Sequence, residues 1–231
     1  MSAILCIWNN VSPGQEAAYE NWYWQEHLPQ RVAHPGFQSG RRYFVRQGHQ
    51  RYYTLYELNK LDDVRTGEYA DSLNTPSERS REMMGVFRDV CRAIGEVTYD
   101  HGRGIGGILV ALRVFHCPGW NDTSRNRLVD ALLAPCAKSP GTVRLRLLET
   151  RHDITNVKTE ERRLRSAPDG SVEWAILLEA ESLPHAKHME RMLQEGICNL
   201  FGPGCEFDQV LYDLAYWEPG THPATFAPVA C

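Results

Sequence analysis

The sequence predicts an α+β chain in which two tandem ferredoxin-like βαββαβ units pack face to face as an intrachain α/β barrel. Three observations point there. The chain has 231 residues, enough for one large domain or for two small ones of roughly 110 residues. It also repeats itself weakly. Ser12-Pro13-Gly14 returns as Cys117-Pro118-Gly119, Leu28-Pro29 as Ala134-Pro135, His34-Pro35-Gly36-Phe37 as Ser139-Pro140-Gly141-Thr142, and Val97-Thr98-Tyr99-Asp100 as Val210-Leu211-Tyr212-Asp213. The first three pairs lie 105 or 106 residues apart and the last 113, all in the same order, as a repeated unit requires. Finally, each half runs through strand-like and helix-like periodicities in the order strand, helix, strand, strand, helix, strand.

In the first half, Ala3–Trp8 is a short apolar run suited to a buried strand. Ser12 stands as N-cap, Pro13 in the first turn and Gln15 three residues on, so a helix is expected from Pro13 toward Leu28. Pro29 ends it, because proline disfavours helical geometry in the preceding residue. Pro35-Gly36 turns the chain into a strand over Phe37–Arg46, and Gln47-Gly48-His49-Gln50 forms a hairpin to Arg51–Leu58, rich in Tyr and Thr. A helical region over Asp62–Val90, interrupted at Asn74-Thr75-Pro76, and a strand at Glu96–Asp100 complete a first unit, 1–101. His101–Gly107, with four glycines in seven residues, is expected to be the linker. The second unit, 108–217, repeats the order as Ile108–Phe115, Thr123–Lys138, Thr142–Thr150, Val172–Ala180, Pro184–Phe201 and Asp208–Trp217. It carries extra residues around 151–170, where the mixed-sign run Lys158–Arg165 reads as a solvated hairpin or loop. Residues 218–231, with three prolines, read as a C-terminal tail. Each unit would leave one sheet face bare, and the other unit can cover it.

Composition narrows the function. Apolar residues make up 42% and charged residues 23%, which gives material for a real core and excludes disordered and disulfide-stapled classes. Lys and Arg total 25 against 29 Asp and Glu, a formal charge of −4, without the basic balance or stripe of a nucleic-acid binder. No stretch approaches the roughly 18 apolar residues of a membrane span, and the N-terminus lacks the basic start of a targeting segment. Seven cysteines (6, 91, 117, 136, 198, 205, 231) without a CxxC pair read as reduced thiols of a cytoplasmic protein rather than a disulfide framework or zinc site. The glycines at 102–107 do not form GxGxxG between a strand and a helix, and no GxSxG or P-loop pattern occurs.

The segment Asn21-Trp22-Tyr23-Trp24-Gln25-Glu26-His27-Leu28-Pro29, followed by Pro35-Gly36-Phe37, Gly40-Arg41-Arg42-Tyr43 and Tyr53-Thr54-Leu55-Tyr56-Glu57, resembles the EthD-like branch of the dimeric α/β-barrel superfamily. The likeness covers residues 3–100 and rests on topology alone over 108–217. It implies the barrel fold and a substrate held between helices and sheet, with a histidine at the place of His27 acting on it. The residues themselves support that expectation. Tyr19, Tyr23 and His27 stand at i, i+4 and i+8 on one helix face, with Glu26 and Arg31 nearby. An imidazole near neutral pH suits acid/base work, and Glu26 would orient it. The competing reading is a half-buried His stabilising a helix C-terminus. Trp22 is expected in the core facing the sheet, and Trp24 at a pocket mouth or an interface. Strand alternation places Arg41, Tyr43 and Val45 on one face and Arg42, Phe44 and Arg46 on the other. Arg41 on a pocket face would suit a carboxylate or enolate oxygen.

Aligning Pro29 with Pro135 puts Leu133 where His27 stands, so the second half is not expected to repeat the chemistry. His185 and His188 are weighed separately, because haem-binding members of the same superfamily, such as chlorite dismutase-like proteins, ligate iron through a helical His in a C-terminal unit. Two histidines alone do not specify a metal site, and none is expected. Three functions of different class follow. The first is a cofactor-free isomerase, lyase/dehydratase or cyclase acting on a small aromatic or unsaturated carbonyl metabolite. There His27, Glu26, Tyr23 and Arg31 would be catalytic, and Trp22, Trp24, Arg41 and Tyr43 would bind substrate. The alternatives are a haem-dependent enzyme using His185 or His188, and a non-catalytic small-molecule binder. Beyond the small molecule, the expected partner is a second copy, drawn by unpaired barrel edges and surplus aromatics, and neither nucleic acid nor membrane.

Overall fold

The computed structural model describes residues 2–65 and 67–221. The chain is α+β, with eight antiparallel strands closed into one barrel and helices packed outside it. The strands are β1 Ala3–Val11, β2 Phe37–Gln47, β3 Tyr52–Leu58, β4 Phe87–Gly102, β5 Ile108–His116, β6 Thr142–Thr150, β7 Trp174–Ala180 and β8 Glu206–Pro219. Their order around the barrel is β1-β3-β2-β8-β5-β7-β6-β4. The strands of residues 3–102 are therefore contiguous, as are those of 108–219. Two seams join them: β2 to β8 from Ser39↔Pro219 to Gln47↔Leu211, and β4 to β6 from Gly95↔Thr150 to Gly102↔Arg144. Every strand has two neighbours, so among the described residues the barrel has no unpaired edge of the kind expected to attract a second copy.

The period-2 alternation of the strands sorts side chains into an interior and an outer layer. Ile4, Cys6, Trp8, Tyr43, Tyr53 and Tyr212 fill the barrel. Outside, one cluster lies under the first-half helices, with Tyr19, Trp22, Tyr56 and Phe87, and another under the second-half helices, with Leu133, Trp174, Met189 and Ile197. Across the barrel interior, Arg41 pairs with Glu179 (2.8 Å) and Glu57 (3.0 Å), and Arg146 pairs with Glu57 (2.7 Å) and Glu179 (2.8 Å). This closed quartet takes one Arg and one Glu from each half. Burial works against the Glu57 charge, but Arg41, Arg146 and Arg144 outweigh it and hold the carboxyl below its usual range.

Several boundaries differ from expectation, each for a local reason. Ser12–Gln15 forms a turn rather than a helix cap: the Ser12 hydroxyl donates to the Val86 carbonyl (3.3 Å), Gly14 takes a φ of 81°, and α1 begins at Glu16 and runs to Trp22. Nor does the helix end at Pro29. Residues Tyr23–His27 form a π turn closed by the Leu28 N–H on the Tyr23 carbonyl, and α2, Leu28–Val32, continues with Pro29 in its first turn. The wider i→i+5 turn accommodates a proline that has neither the N–H nor the clearance an α turn needs. After β3 come α3 Gly67–Asn74 and α4 Glu78–Val86, and the helical region stops there, because β4 starts at Phe87 rather than Glu96. A bulge explains the misreading. Asp89 sits at φ 51° and the β1–β4 register shifts between Trp8 and Asn10, so Phe87, Val90, Cys91 and Ile94 acquire the i, i+3, i+4, i+7 spacing of a helix.

The second half follows with α5 Asp122–Leu128, a π turn Val129–Leu133 and α6 Ala134–Ala137, again with a proline, Pro135, just after the π turn. The glycine linker is packed rather than solvated at Gly106, whose N–H donates to Glu179 (2.9 Å). Residues 151–170 are not a solvated loop either. They fold as α7 His152–Thr155 and α8 Glu160–Arg163, with Ile154, Thr155 and Glu161 buried. The last long helix is α9, Leu183–Phe201. Of the expected tail, 218–219 belong to β8, and 222–231 lie outside the described residues.

Candidate functional site

The π turn assembles the centre of the site. By bringing residues i and i+5 into register, it stacks His27 on Trp22, with ring centroids 4.2 Å apart, while Tyr23 meets the imidazole at 4.8 Å. His27 is only 4% exposed, and its Nδ1 is buried with no hydrogen-bond partner among the described residues. Burial drives its proton affinity well below that of an ordinary histidine, and the nearby charges of Arg31, Arg42 and Arg165 push the same way. Both effects favour the uncharged ring, and its Nδ1 is left without a hydrogen bond among the described residues.

Tyr23 is oriented from the sheet. Arg42 Nη1 donates to Thr54 Oγ1 (2.6 Å), and Thr54 Oγ1 donates to the Tyr23 phenol oxygen (3.0 Å). That phenol oxygen is thus an acceptor toward the sheet, and its own proton is left to point elsewhere. Arg42 is 1% exposed and has no carboxylate partner among the described residues. It is held instead against the faces of Tyr23 (3.8 Å to the ring centre), Tyr52 (4.7 Å) and Tyr19 (5.0 Å), as a guanidinium can be.

The insertion at 151–170 closes this layer from outside. Arg31 on α2 pairs with the buried Glu161 of α8 and donates to Ser72 Oγ (2.9 Å). Arg165 and Arg162 both pair with Asp169, the latter at 3.1 Å, and Arg92 of β4 donates to the Thr155 carbonyl (3.1 Å). Between these groups lies a small cavity with about 20 Å³ of free space, lined on its polar side by His27, Tyr23, Arg31, Arg92, Glu161 and Arg165. In this state it has room for a water molecule or so and not for a metabolite. A surface groove of about 770 Å³, lined by Asn74, Asn156, Lys158, Glu160 and Arg163, lies on the other side of Thr159 and Arg162, which line both it and the cavity.

Of the residues singled out from the sequence, His27, Tyr23, Arg31 and Trp22 come together. Glu26 does not orient the imidazole. Its carboxylate accepts from Ser77 Oγ (2.9 Å) and faces Arg79 at 3.6 Å. Trp24 is 58% exposed, its ring edge-on to Tyr216 at 5.0 Å, away from the cavity. Arg41 and Tyr43 lie on the opposite face of β2, inside the barrel, where Arg41 belongs to the ion quartet and Tyr43 packs on Tyr53. Arg42, one residue on, is the arginine that reaches the site. Thr54, Arg92, Glu161 and Arg165 were not anticipated. Thr54 is the one with a sequence signal, a lone hydroxyl between Tyr52 and Tyr56 on the helix-facing side of β3.

His185 and His188 do not fit a haem. The inner face of α9 carries Ala186, Met189, Leu193 and Ile197, fully buried against the second-half sheet, so a macrocycle has no room there. His185 Nε2 is 3.1 Å from Thr142 Oγ1, whose own proton goes to the Cys136 carbonyl (2.9 Å), so this nitrogen is the donor and is already committed. His188 is exposed on the far side of the helix.

No family model and no curated protein match the sequence. Solved structures do match the fold. A candidate monooxygenase from Fusobacterium nucleatum superposes with a TM-score of 0.61 at 8% identity, over 94% of each chain. An anthrone oxidase-like protein gives 0.61 at 10% identity, over 98% of this chain and 96% of that one. The chlorite dismutase of Candidatus Nitrospira defluvii, in complex with imidazole, gives 0.56 at 10%, over 93% and 91%. At such identities the likeness is one of fold, and it places the chain's closed barrel with those of dimeric α/β-barrel type.

Proposed function

We propose that the chain is a cofactor-independent catalyst of proton transfer on a small aromatic or unsaturated carbonyl metabolite, of the isomerase, lyase/dehydratase or cyclase type. One observation carries this reading: the His27 imidazole lines a buried cavity beside the Tyr23 phenol and four guanidiniums, of which Arg31 is offset by Glu161 while Arg162 and Arg165 share Asp169. A base beside fixed positive charge is the arrangement that removes a proton next to a carbonyl and stabilises the resulting enolate. His27 takes the proton, Tyr23 donates to the developing oxyanion, and Arg31 and Arg165 supply the charge. Arg42 is a positioning residue acting through Thr54, and Trp22 fixes the plane of the imidazole. The test is turnover of a panel of aromatic carbonyl compounds by wild type and His27→Gln, with folding checked by circular dichroism. Loss of turnover in a folded variant supports the reading, and retained turnover overturns it.

The fold neighbours named as monooxygenase and anthrone oxidase-like favour a second reading, in which the same substrate anion is formed and then oxidised by dioxygen. Oxygen uptake that depends on both substrate and His27 distinguishes it from simple proton transfer. The reading also includes two βαββαβ units, 1–101 and 108–217, and a cytoplasmic setting with reduced thiols, in keeping with free cysteines at 6, 91, 117, 136, 198 and 205. Among the described residues, no helix is long and apolar enough to cross a membrane. With the barrel closed, a second copy would have to use the outer surface, where Trp24 and Trp217 are exposed. Light scattering of the purified protein decides that point.

A further inference from the structure

We propose that residues 158–166 of the 151–170 insertion form a lid whose Glu161 occupies, on Arg31, the place of a ligand's carboxylate, so that the His27 site takes aromatic acids rather than neutral aromatics. The inference rests on reading the His27 cavity as a ligand site and adds the substrate class and the device that closes it.

Charge is the first argument. Arg31, Arg92, Arg162 and Arg165 line the cavity, and only Glu161 and Asp169 offset them. Asp169 is shared between Arg162 and Arg165, Arg92 has only a backbone carbonyl, and Arg165 Nε is buried without a partner among the described residues. Guanidiniums so far removed from water need an anion. Glu161 provides one to Arg31, but only through the lid. If the lid opens, Arg31 keeps Ser72 on Nη1 and presents Nη2 to whatever oxyanion enters. A carboxylate is suited to that fork. Behind it, Tyr23, Tyr56, Tyr69 and Phe87 give the cavity the aromatic walls that suit a ring.

The construction of the lid is the second argument. Its four-residue helix α8 is attached mainly by polar contacts: Glu161 to Arg31, Glu160 to Arg81 at 3.3 Å, the Glu160 N–H to Asn74 at 3.2 Å, and Ser166 to Arg88 at 3.0 Å. Leu164 is the one apolar side chain of 158–166 that packs on the core beneath, whereas the flanking residues are anchored to β4, Ile154 and Thr155 by burial and Gly170 by its N–H on the Val90 carbonyl (2.7 Å). Segments held in this way open well below the global unfolding free energy. Opening is also required, because the closed cavity is far smaller than a metabolite, and Thr159 and Arg162 of the lid are what separate it from the basic groove outside. Ligand and Glu161 therefore compete for Arg31, and the acid that enters does so against an internal anion.

The test uses the full chain and two fluorescent probes, 3-hydroxy-2-naphthoate and 2-naphthol, which share a hydroxylated ring system and differ in the carboxylate. Wild type is expected to prefer the acid. Glu161→Gln, which keeps the shape and removes the charge that holds the lid on Arg31, is expected to bind both probes more tightly, the acid at least 10-fold, while keeping the preference for the acid, and Arg31→Met to lose that preference. Unchanged acid affinity in Glu161→Gln, or an acid preference that survives in Arg31→Met, overturns the proposal. Should that variant fail to fold, limited trypsin digestion of wild type reads the same event. The acid is expected to accelerate cleavage at Arg162–Arg165 several-fold over the ligand-free chain, and an unchanged cleavage rate overturns the proposal. Neither measurement requires turnover. Acid binding without catalysis in wild type therefore refutes the enzyme reading alone, and a Glu161→Gln without effect refutes the lid alone.

Discussion

The neutrality of His27 has a consequence for stability that can be measured without a substrate. In the unfolded chain this histidine titrates near 6.5, whereas in the folded chain burial and the guanidiniums of Arg31, Arg42 and Arg165 hold it well below that. A base whose folded proton affinity is depressed gives the unfolded state the greater proton uptake at low pH. Its contribution to stability is therefore fully present above 6.5 and is lost as pH falls, by about 1.4 kcal/mol per pH unit until the folded group itself titrates. From pH 7 to pH 5 that amounts to about 2 kcal/mol if the folded ring stays neutral throughout. In a protein of this size it corresponds to roughly 4–8 °C in melting temperature. The assay is urea unfolding of wild type and His27→Gln at pH 7, 6 and 5. Gln cannot titrate, and the other histidines, including the partly buried His34 and His185, are common to both proteins. Wild type is expected to lose more than the variant over this range, by at most about 2 kcal/mol. An identical pH dependence in the two would show that His27 titrates normally when folded, and would remove the physical basis for treating it as a buried free base.

Other outcomes follow from the same geometry. Tyr23→Phe removes the proposed oxyanion donor and the acceptor of Thr54 Oγ1, so kcat is expected to fall about 100-fold with a stability loss of about 1 kcal/mol. A steady-state assay with denaturant curves separates the two effects. Gly40→Ala would place a Cβ 2.9 Å from Leu28 Cδ1 and Val32 Cγ1, pushing α2 off the sheet. A cost of about 1–3 kcal/mol in urea unfolding is expected. Leu133→Ala, at the second-half position matching His27 and fully buried, is expected to cost about 2–5 kcal/mol. Turnover per folded molecule should stay unchanged there, because Leu133 packs in the cluster under the second-half helices and does not line the His27 cavity.

The sequence disclosed the fold through periodicity, and failed where backbone irregularity altered the period. Strands such as Tyr52–Leu58 keep their alternation and were readable. Phe87–Ile94 was not, because the bulge at Asp89 converts its spacing into a helical one. The proline after His27 suggested a helix end, since the π turn that accommodates it leaves no mark in composition. The centre of the site, Tyr23, His27 and Arg31, was legible because it lies on one continuous helical segment. The rest of the site comes from distant parts of the chain. Arg42 and Thr54 arrive from the sheet, and choosing between Arg41 and Arg42 required knowing which face of β2 meets the helices. Glu161 and Arg165 come from a charged run some 130 residues beyond Arg31, and mixed charge in a sequence does not distinguish a solvated loop from a buried ion-paired lid. Glu26 shows the converse: adjacency to His27 along a helix turns its side chain toward Ser77 and Arg79 instead.

The proposed proton transfer is tested most directly with phenylpyruvate, an aromatic keto acid that joins a carboxylate for Arg31 to an acidic methylene for His27. Exchange of that methylene in deuterated buffer is followed by proton NMR with wild type, with His27→Gln and with no protein. Wild type is expected to accelerate the exchange, and the variant to return it to the buffer rate while still binding the acid. Equal exchange in wild type and variant would contradict the assignment of His27 as the base.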